Sequence, residues 1–269
     1  MTALLRHASF EWNNGLRNRA LLLLLYLFPL GFYLMAGSLM VGLNPEFRET
    51  LIPAMVLFAV MAGMLLGLPD PLVSAREAGI FRSYKIHGVP EAAILLLPAF
   101  TALLHLAVVG AVITATASLI FAAPLPVNWL AFGAVFLVSA AALAGLGLVI
   151  AVISATTRAT ILWSQLLFLP SVMLGGLMVP AEAITGWLAD VSTLLPTTYG
   201  MNAMRGLAYQ ELTAFSPWGS LLVLAAGAVT AIVVAVYLFQ WDSRGGTRRG
   251  HALLAALALV PYVAGMLLL

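Results

Sequence analysis

Few side chains in this sequence could carry out chemistry, and they are widely separated. His105 is the one ionisable side chain deep within a long apolar run, and Tyr33 and Gln165 are polar residues in two other runs. A histidine within a membrane segment is a functional candidate, although a hydrogen bond to a backbone carbonyl or to Thr101, one turn earlier, is the simpler interpretation. Gln165 is expected to form a hydrogen bond between helices. We consider Tyr33, His105 and Gln165 as possible polar positions of a pathway through the protein.

The sequence lacks the motifs of nucleotide hydrolysis and of thiolate metal binding. Its single lysine is Lys85 and it has no Gly-x-x-x-x-Gly-Lys-Ser/Thr loop, so this chain cannot hydrolyse ATP through a P-loop. It has no cysteine, which excludes a disulfide framework. No carboxylate pair, histidine cluster or Ser-His-Asp set falls at one depth, which argues against an intramembrane enzyme. We expect no catalytic residue, cofactor or metal in this chain.

The composition indicates a membrane protein. The chain of 269 residues is 63% hydrophobic and only 8% charged, whereas a soluble domain averages about 25% charged residues. No charged side chain occurs between Glu91 and Arg158, and the turn signal at 124–128 divides this stretch into two spans. The basic residues are few and scattered, which does not suggest nucleic-acid binding. These features predict an all-α integral membrane protein with one membrane domain.

Seven apolar runs are each long enough for a spanning helix of about 20 residues. They lie at 20–42, 51–69, 92–122, 129–155, 159–179, 218–240 and 251–269. The domain organisation that follows is an amphipathic interfacial helix at 1–19, a six-span domain at 20–245 and an additional carboxyl-terminal helix at 246–269. The alternative for 1–19 is a disordered leader. The alternative for the run at 20–42 is a signal peptide, although the apolar stretch of this run is longer than a usual signal core.

The basic residues predict the orientation of the spans. Ten of the twelve fall on one predicted side, and the other side has only Arg48 and Arg205. The ten are Arg6, Arg17, Arg19, Arg76, Arg82, Lys85, Arg158, Arg244, Arg248 and Arg249. Because basic residues are retained in the cytoplasm, this side is expected to be cytoplasmic. The protein is then expected in the cell membrane with its amino terminus inside and, after seven spans, its carboxyl terminus outside.

Two segments between the spans are the most informative. The inner loop at 70–91 is short, mixed in charge and bounded by prolines, so it is either a short amphipathic helix that contacts a cytoplasmic partner or a solvated loop. The outer segment at 180–216 is too polar to span and too apolar for an open loop. Two short helices broken at Pro196 fit it best. They would pack over the ends of the spans as a gate or as a structural cap.

Together these two segments resemble the ABC type-2 permease family, the membrane subunits of one class of ATP-binding-cassette exporters. In the inner loop the resemblance rests on an Arg-Glu-x-Gly sequence, following basic residues and a proline: Arg76, Glu77, Gly79, Arg82, Lys85 and Pro90. In the outer segment it rests on Gly176, Pro180, Trp187, Pro196, Tyr199 and Arg205. The sequence departs from the family pattern at Ala75, where an acidic residue is frequent, at 88–90, and in its seventh span.

The resemblance implies a permease subunit that forms a homodimer in the lipid membrane. A separate cytoplasmic ABC ATPase, which holds ATP and Mg²⁺, would dock on the inner loop, and Glu77 with its basic neighbours would transmit the motion. The outer helical hairpin would act as the gate. The alternative from another class is a non-transporting membrane scaffold or sensor subunit.

The only indication of the cargo in the sequence is the absence of charged residues from the predicted spans. Without buried charges they offer neutral hydrogen bonds, which favours an amphipathic or apolar cargo such as a lipid, a drug-like metabolite or a lipidated peptide. A polysaccharide is the alternative cargo.

Overall fold

The computed structural model describes residues 19–179, 183–241 and 252–269, and within these ranges the fold consists of helices without strands. Five of the described helices are long and apolar enough to cross a membrane, and a shorter apolar helix ends the chain. The prediction of an all-α membrane fold is thereby confirmed. Of the predicted interfacial helix at 1–19, only Arg19 is among the described residues. Pro180 and the three arginines at 244–249 also lie outside them.

The helices are numbered here in chain order. The first half contains α1 (Arg19–Leu22, a π-helical turn Leu23–Leu27, and Phe28–Leu43), α2 (Phe47–Met61, a π-helical turn Ala62–Gly67, and Pro69–Glu77), α3 (Ile80–Ile86), α4 (Glu91–Phe121) and α5 (Trp129–Ile153). The second half contains α6 (Thr157–Leu174), α7 (Trp187–Ser192), α8 (Pro196–Ala203, then a π-helical turn Met204–Ala208), α9 (Pro217–Tyr237) and α10 (a 3₁₀ segment Ala252–Leu259, then Val260–Leu268).

The long helices alternate in direction and define two ends of the bundle. We call one the basic end, which contains α3 and the α5–α6 turn with Arg158, and the other the hairpin end, which contains α7 and α8. Three helices begin with side-chain caps: Asn128 accepts a hydrogen bond from the Ala131 amide, Thr156 from that of Ala159 and Ser216 from that of Gly219.

Helix α2 is the centre of the bundle. The apolar part of Phe47–Glu77 is 94% buried, whereas that of α1 is 28% buried, so α2 is surrounded by protein and α1 faces the lipid. Its closest neighbour is α5, where Gly147 lies against the Met64 carbonyl oxygen so tightly that an added Cβ would overlap this oxygen. Gly63 faces Leu106 and Leu25, so this glycine serves packing within the subunit.

Two of the π-helical turns coincide with prolines. The turn Leu23–Leu27 precedes Pro29, and the turn Ala62–Gly67 precedes Pro69. Proline removes one amide donor and its ring clashes with the carbonyl four residues earlier, and a wider turn accommodates both effects without ending the helix. For this reason α2 continues to Glu77, and the first part of the predicted inner loop at 70–91 is helical.

The apolar carboxyl-terminal run forms α10, which packs antiparallel to α9. Tyr262 of α10 contacts Gly227, and Leu269 lies beside Gly219 near the start of α9, at the hairpin end. Eight residues of 3₁₀ helix rise about 2.0 Å each and nine residues of α-helix about 1.5 Å each, which gives a length of about 30 Å. This length matches the hydrocarbon core, although the helix has fewer residues than a usual span.

The fifth predicted span ends earlier than expected. The prediction placed it at 159–179, but α6 ends at Leu174. Gly175 lies so close to Thr197 of α8 that a side chain there would overlap it, and Gly176 has a φ of +78°. Helix α6 therefore ends where α8 packs against the chain at Gly175.

The contact between α2 and α5 generates a stability prediction. The variant Gly147→Ala should lower the free energy of unfolding by about 1–3 kcal/mol, because its Cβ meets the fixed backbone at Met64. The matched control is Gly133→Ala on the same helix, where no atom lies within 4 Å of the added Cβ. Thermal denaturation of the detergent-solubilised protein measures both. Equal melting temperatures for the two variants would contradict the close packing of these helices.

Candidate functional site

The inner loop contains a short helix fixed at both ends by glycine turns. Gly79, with a φ of +73°, lies between the end of α2 and the start of α3. Gly88, with a φ of +71°, follows α3, and Pro90 precedes α4. Glycine adopts positive φ without the steric cost that other residues carry, so both turns depend on it. The amphipathic helix predicted for this loop is present as Ile80–Ile86.

One face of α3 packs on the ends of α9 and α4. Phe81 is buried, with its ring centroid 5.5 Å from that of Phe239. The Lys85 ammonium lies 5.7 Å from the centre of the Trp241 ring, and the Trp241 Nε1 donates a hydrogen bond of 2.9 Å to the Glu91 carboxylate. A cation over an indole ring and a charge-assisted hydrogen bond both stabilise this contact. The helix is therefore held by α4 and α9 and not by its own seven residues.

The other face of α3 is exposed and mixed in character. Ile86 is 83% exposed and Ile80 is 43% exposed. Arg82 and His87 are exposed as well. Exposed aliphatic side chains among cations, on a helix beyond the ends of the membrane spans, are a typical surface for binding another protein.

Arg76 and Glu77, predicted as members of a coupling loop, lie in the last turn of α2. Arg76 is 6% exposed, and its guanidinium donates hydrogen bonds to the carbonyl oxygens of Ala151, Val152 and Ser154 at the end of α5. Its side chain is therefore not available for direct contact with a partner. The Glu77 carboxylate is exposed and accepts a hydrogen bond of 3.3 Å from the Thr157 hydroxyl.

The outer segment contains the two short helices that were predicted. Helix α7 begins at Trp187, which is 72% exposed, and α8 begins at Pro196. The residues Pro196–Ala203 of α8 are all buried between α2, α5, α6 and α9. Tyr199 of α8 donates a hydrogen bond of 3.3 Å to the Tyr262 carbonyl of α10, so the additional carboxyl-terminal helix is attached to the hairpin.

A cavity of about 650 Å³ opens beside the hairpin. Its lining is mixed: Arg205 and Glu211 form an ion pair of 2.7 Å in its wall, and Asn44, Glu46, Glu49 and Thr50 add further polar side chains. The apolar lining comprises Met40, Leu43, Phe47, Leu177, Met178 and Met201, and Gly176, one of the predicted gate residues, lies among them. Burial and the neighbouring Glu211 carboxylate raise the pKa of the Tyr209 hydroxyl.

A second cavity is a lateral cleft between α5, α6 and α10. Its volume is about 550 Å³ and its lining is almost entirely apolar. The lining residues are Leu146, Val149, Ile150, Ile153, Trp163, Leu166, Leu167, Leu253, Ala255, Ala256, Ala258 and Leu259. The sequence did not predict this cleft, because it depends on where α10 packs.

The three polar pathway candidates lie apart from both cavities. His105 Nδ1 forms a hydrogen bond of 2.8 Å with the Tyr26 hydroxyl, not with Thr101, whose hydroxyl donates to the Leu97 carbonyl. The Tyr33 hydroxyl bonds Thr116 at 3.1 Å. Both pairs join α1 to α4, so their demonstrated contribution is to packing.

Gln165 is half-buried on α6 and makes no side-chain hydrogen bond within the described ranges. The predicted bond between helices is therefore not observed for it. The Tyr26–His105 partnership could not be inferred from spacing, because the two residues are far apart in sequence.

Comparison with known proteins adds one finding to this geometry. No curated protein matches the sequence. A sequence profile described as ABC-2 type transporter matches residues 4–209, which includes the whole of α1 to α8 and the exposed face of α3. The match covers more than half of the chain. We conclude that the chain belongs to the ABC-2 type transporter family and is a membrane permease subunit of an ABC transporter.

Proposed function

We propose that this chain is the membrane half of an ATP-driven exporter and that a separate cytoplasmic ATPase binds the exposed face of α3. The observation that carries the proposal is the contrast between the two faces of this helix. Phe81 is buried against α9, while Ile86, one and a half turns later, is 83% exposed. A helix of seven residues is too short to be stable alone, so its fixed position beyond the spans is a property of the fold.

The absence of a phosphate loop from this chain supports the same proposal. ABC ATPases bind the phosphates of ATP with a P-loop, and this sequence has no P-loop motif. ATP and Mg²⁺ would therefore bind to the partner. Movement of the partner on ATP binding would displace α3, and the ends of α4 and α9 that hold it, and tilt the spans toward an outward-open state.

The orientation follows from the basic residues. Arg82, Lys85 and Arg158 lie at the basic end, so we place this end in the cytoplasm and the hairpin end outside the cell membrane. Leu269 lies near Gly219 at the hairpin end, so we propose that the carboxyl terminus lies outside as well.

The shapes of the two cavities support an amphipathic or apolar cargo. The lateral cleft offers apolar contacts to a molecule within the membrane, and the cavity at the hairpin end combines apolar side chains with polar and charged ones. Such a cargo would enter from the lipid and leave at the hairpin.

A homodimer would place two copies side by side in the membrane. Helices α1 and α6 expose aliphatic side chains such as Leu27, at 64%, and Leu162, at 73%. These faces contact lipid or a second copy.

The docking proposal predicts that Ile86→Glu weakens binding of the ATPase. An aliphatic side chain buried at an interface contributes about 1.5–3 kcal/mol, so affinity should fall about tenfold or more. The matched control is Leu212→Glu, a change of another exposed side chain, 97% accessible, at the hairpin end. The measurement is the amount of P-loop ATPase that purifies with each variant in mild detergent, followed by mass determination of the complex. A similar loss in both variants, or no ATPase with the unchanged protein, would contradict the proposal.

The orientation proposal predicts which sites an impermeant maleimide labels in intact cells. The chain has no cysteine, so single cysteines can be introduced without background. Cysteines at position 212 and after Leu269 should be labelled, and a cysteine at position 82 should be labelled only after the membrane is broken. Labelling of position 82 in intact cells would invert the orientation. Protection of the terminal cysteine alone would show that α10 does not reach the outer surface.

A further inference from the structure

The turn between α5 and α6 is held by two adjacent residues of a third helix. Arg76 and Glu77 end α2, and their side chains reach the two sides of this turn. The Arg76 guanidinium donates hydrogen bonds to the carbonyl oxygens of Ala151, at 3.2 Å, Val152, at 3.5 Å, and Ser154. The Glu77 carboxylate accepts one from Thr157, the first residue of α6.

The signs of these charges match the helix ends that they contact. The last carbonyls of α5 lack partners within the helix and carry partial negative charge, which a cation stabilises. The first turn of α6 carries partial positive charge, which a carboxylate stabilises. The pair therefore contacts the last carbonyls of one helix and the first residue of the next, and we call Arg76 and Glu77 the α5–α6 clamp.

The two halves of the clamp differ in strength. Arg76 is 6% exposed, and breaking its bonds would leave a buried guanidinium and buried carbonyls without partners, which is costly. The Glu77 bond is exposed and 3.3 Å long, so it can break and re-form. We therefore expect the hydrogen bonds of Arg76 to persist when the helices move, and the Glu77–Thr157 hydrogen bond to break and re-form.

The clamp adjoins the helix on which the partner is proposed to bind. Only Ala78 and Gly79 separate Glu77 from α3. The opposite side of α3 contacts Phe239 and Trp241 after α9. A short helix that is held by α9 on one side and joined to the α5–α6 turn on the other can pass its displacement to the ends of these spans.

We propose that Arg76 and Glu77 are positioning residues that transmit displacement of α3 to the α5–α6 turn. This inference rests on the proposed docking of an ATPase on α3. It explains how a displacement of α3 would reach α5 and α6, two helices that do not pack on α3. It also assigns to Arg76 a role within the subunit in place of contact with the partner.

The test follows two sites of one complex during nucleotide binding. Single cysteines at Ser83 on α3 and at Ala155 in the α5–α6 turn, both exposed, are labelled with an environment-sensitive fluorophore in separate preparations. Each is measured in the purified complex with its P-loop ATPase, without nucleotide and with ATP and Mg²⁺ under non-hydrolysing conditions. In the unchanged protein we expect both labels to respond.

Two substitutions separate transmission from folding. Arg76→Lys keeps the charge but cannot bridge several carbonyls, because an ammonium lacks the planar fork of a guanidinium. Thr157→Val removes only the hydroxyl that bonds Glu77. In both variants we expect the label at position 83 to respond as before, with the amount of bound ATPase unchanged. The response at position 155 should be largely lost in Arg76→Lys and reduced to a smaller extent in Thr157→Val.

The control is Arg48→Lys at the hairpin end, an exposed arginine 3.6 Å from Glu49, which should leave both responses unchanged. An undiminished response at position 155 in Arg76→Lys, with position 83 responding, would overturn the clamp and leave the docking proposal standing. No response at position 83 in the unchanged complex would overturn the docking proposal and the clamp with it.

Discussion

The close approach of α2 and α5 is the contact on which the rest of the structure depends. Lipid offers no hydrogen bonds to the backbone, so each span must be helical and the spans can approach only where side chains are small. Gly147 allows α5 to lie on the Met64 carbonyl in the π-helical turn of α2. This contact places α2 inside the bundle, with the other spans packed around it.

The central position of α2 connects the two ends of the molecule. Its first residues, including Phe47 and Thr50, line the cavity beside the hairpin, and its last residues, Arg76 and Glu77, hold the α5–α6 turn. Under the docking proposal, a displacement of α3 would pass through the turn at Gly79 to α2, which extends to the cavity. A permease driven by a separate ATPase needs such a connection, because the ATPase would bind at the basic end and this cavity lies at the hairpin end.

The sequence predicted the features that depend on local composition. Charge-free runs located the five helices that are long and apolar enough to cross a membrane, prolines bounded the inner loop that contains α3, and Pro196 marked the break between α7 and α8. The features that depend on long-range packing were not predictable from one sequence. Arg76 is an ordinary loop cation in the sequence and becomes a buried helix cap only because α5 ends beside it. Likewise, no local pattern relates Tyr26 to His105, or α10 to the cleft that it forms with α5 and α6.

The most direct test of this account is to identify what contacts Ile86 in the native membrane. A photoreactive amino acid at position 86, compared with one at position 212, captures whatever lies within reach of each site before the membrane is dissolved. The account predicts that position 86 yields a covalent adduct with a P-loop ATPase and that position 212 does not. An adduct of position 86 with lipid alone, or the same ATPase adduct from both positions, would contradict the conclusion that α3 is the docking helix of an ATP-driven permease.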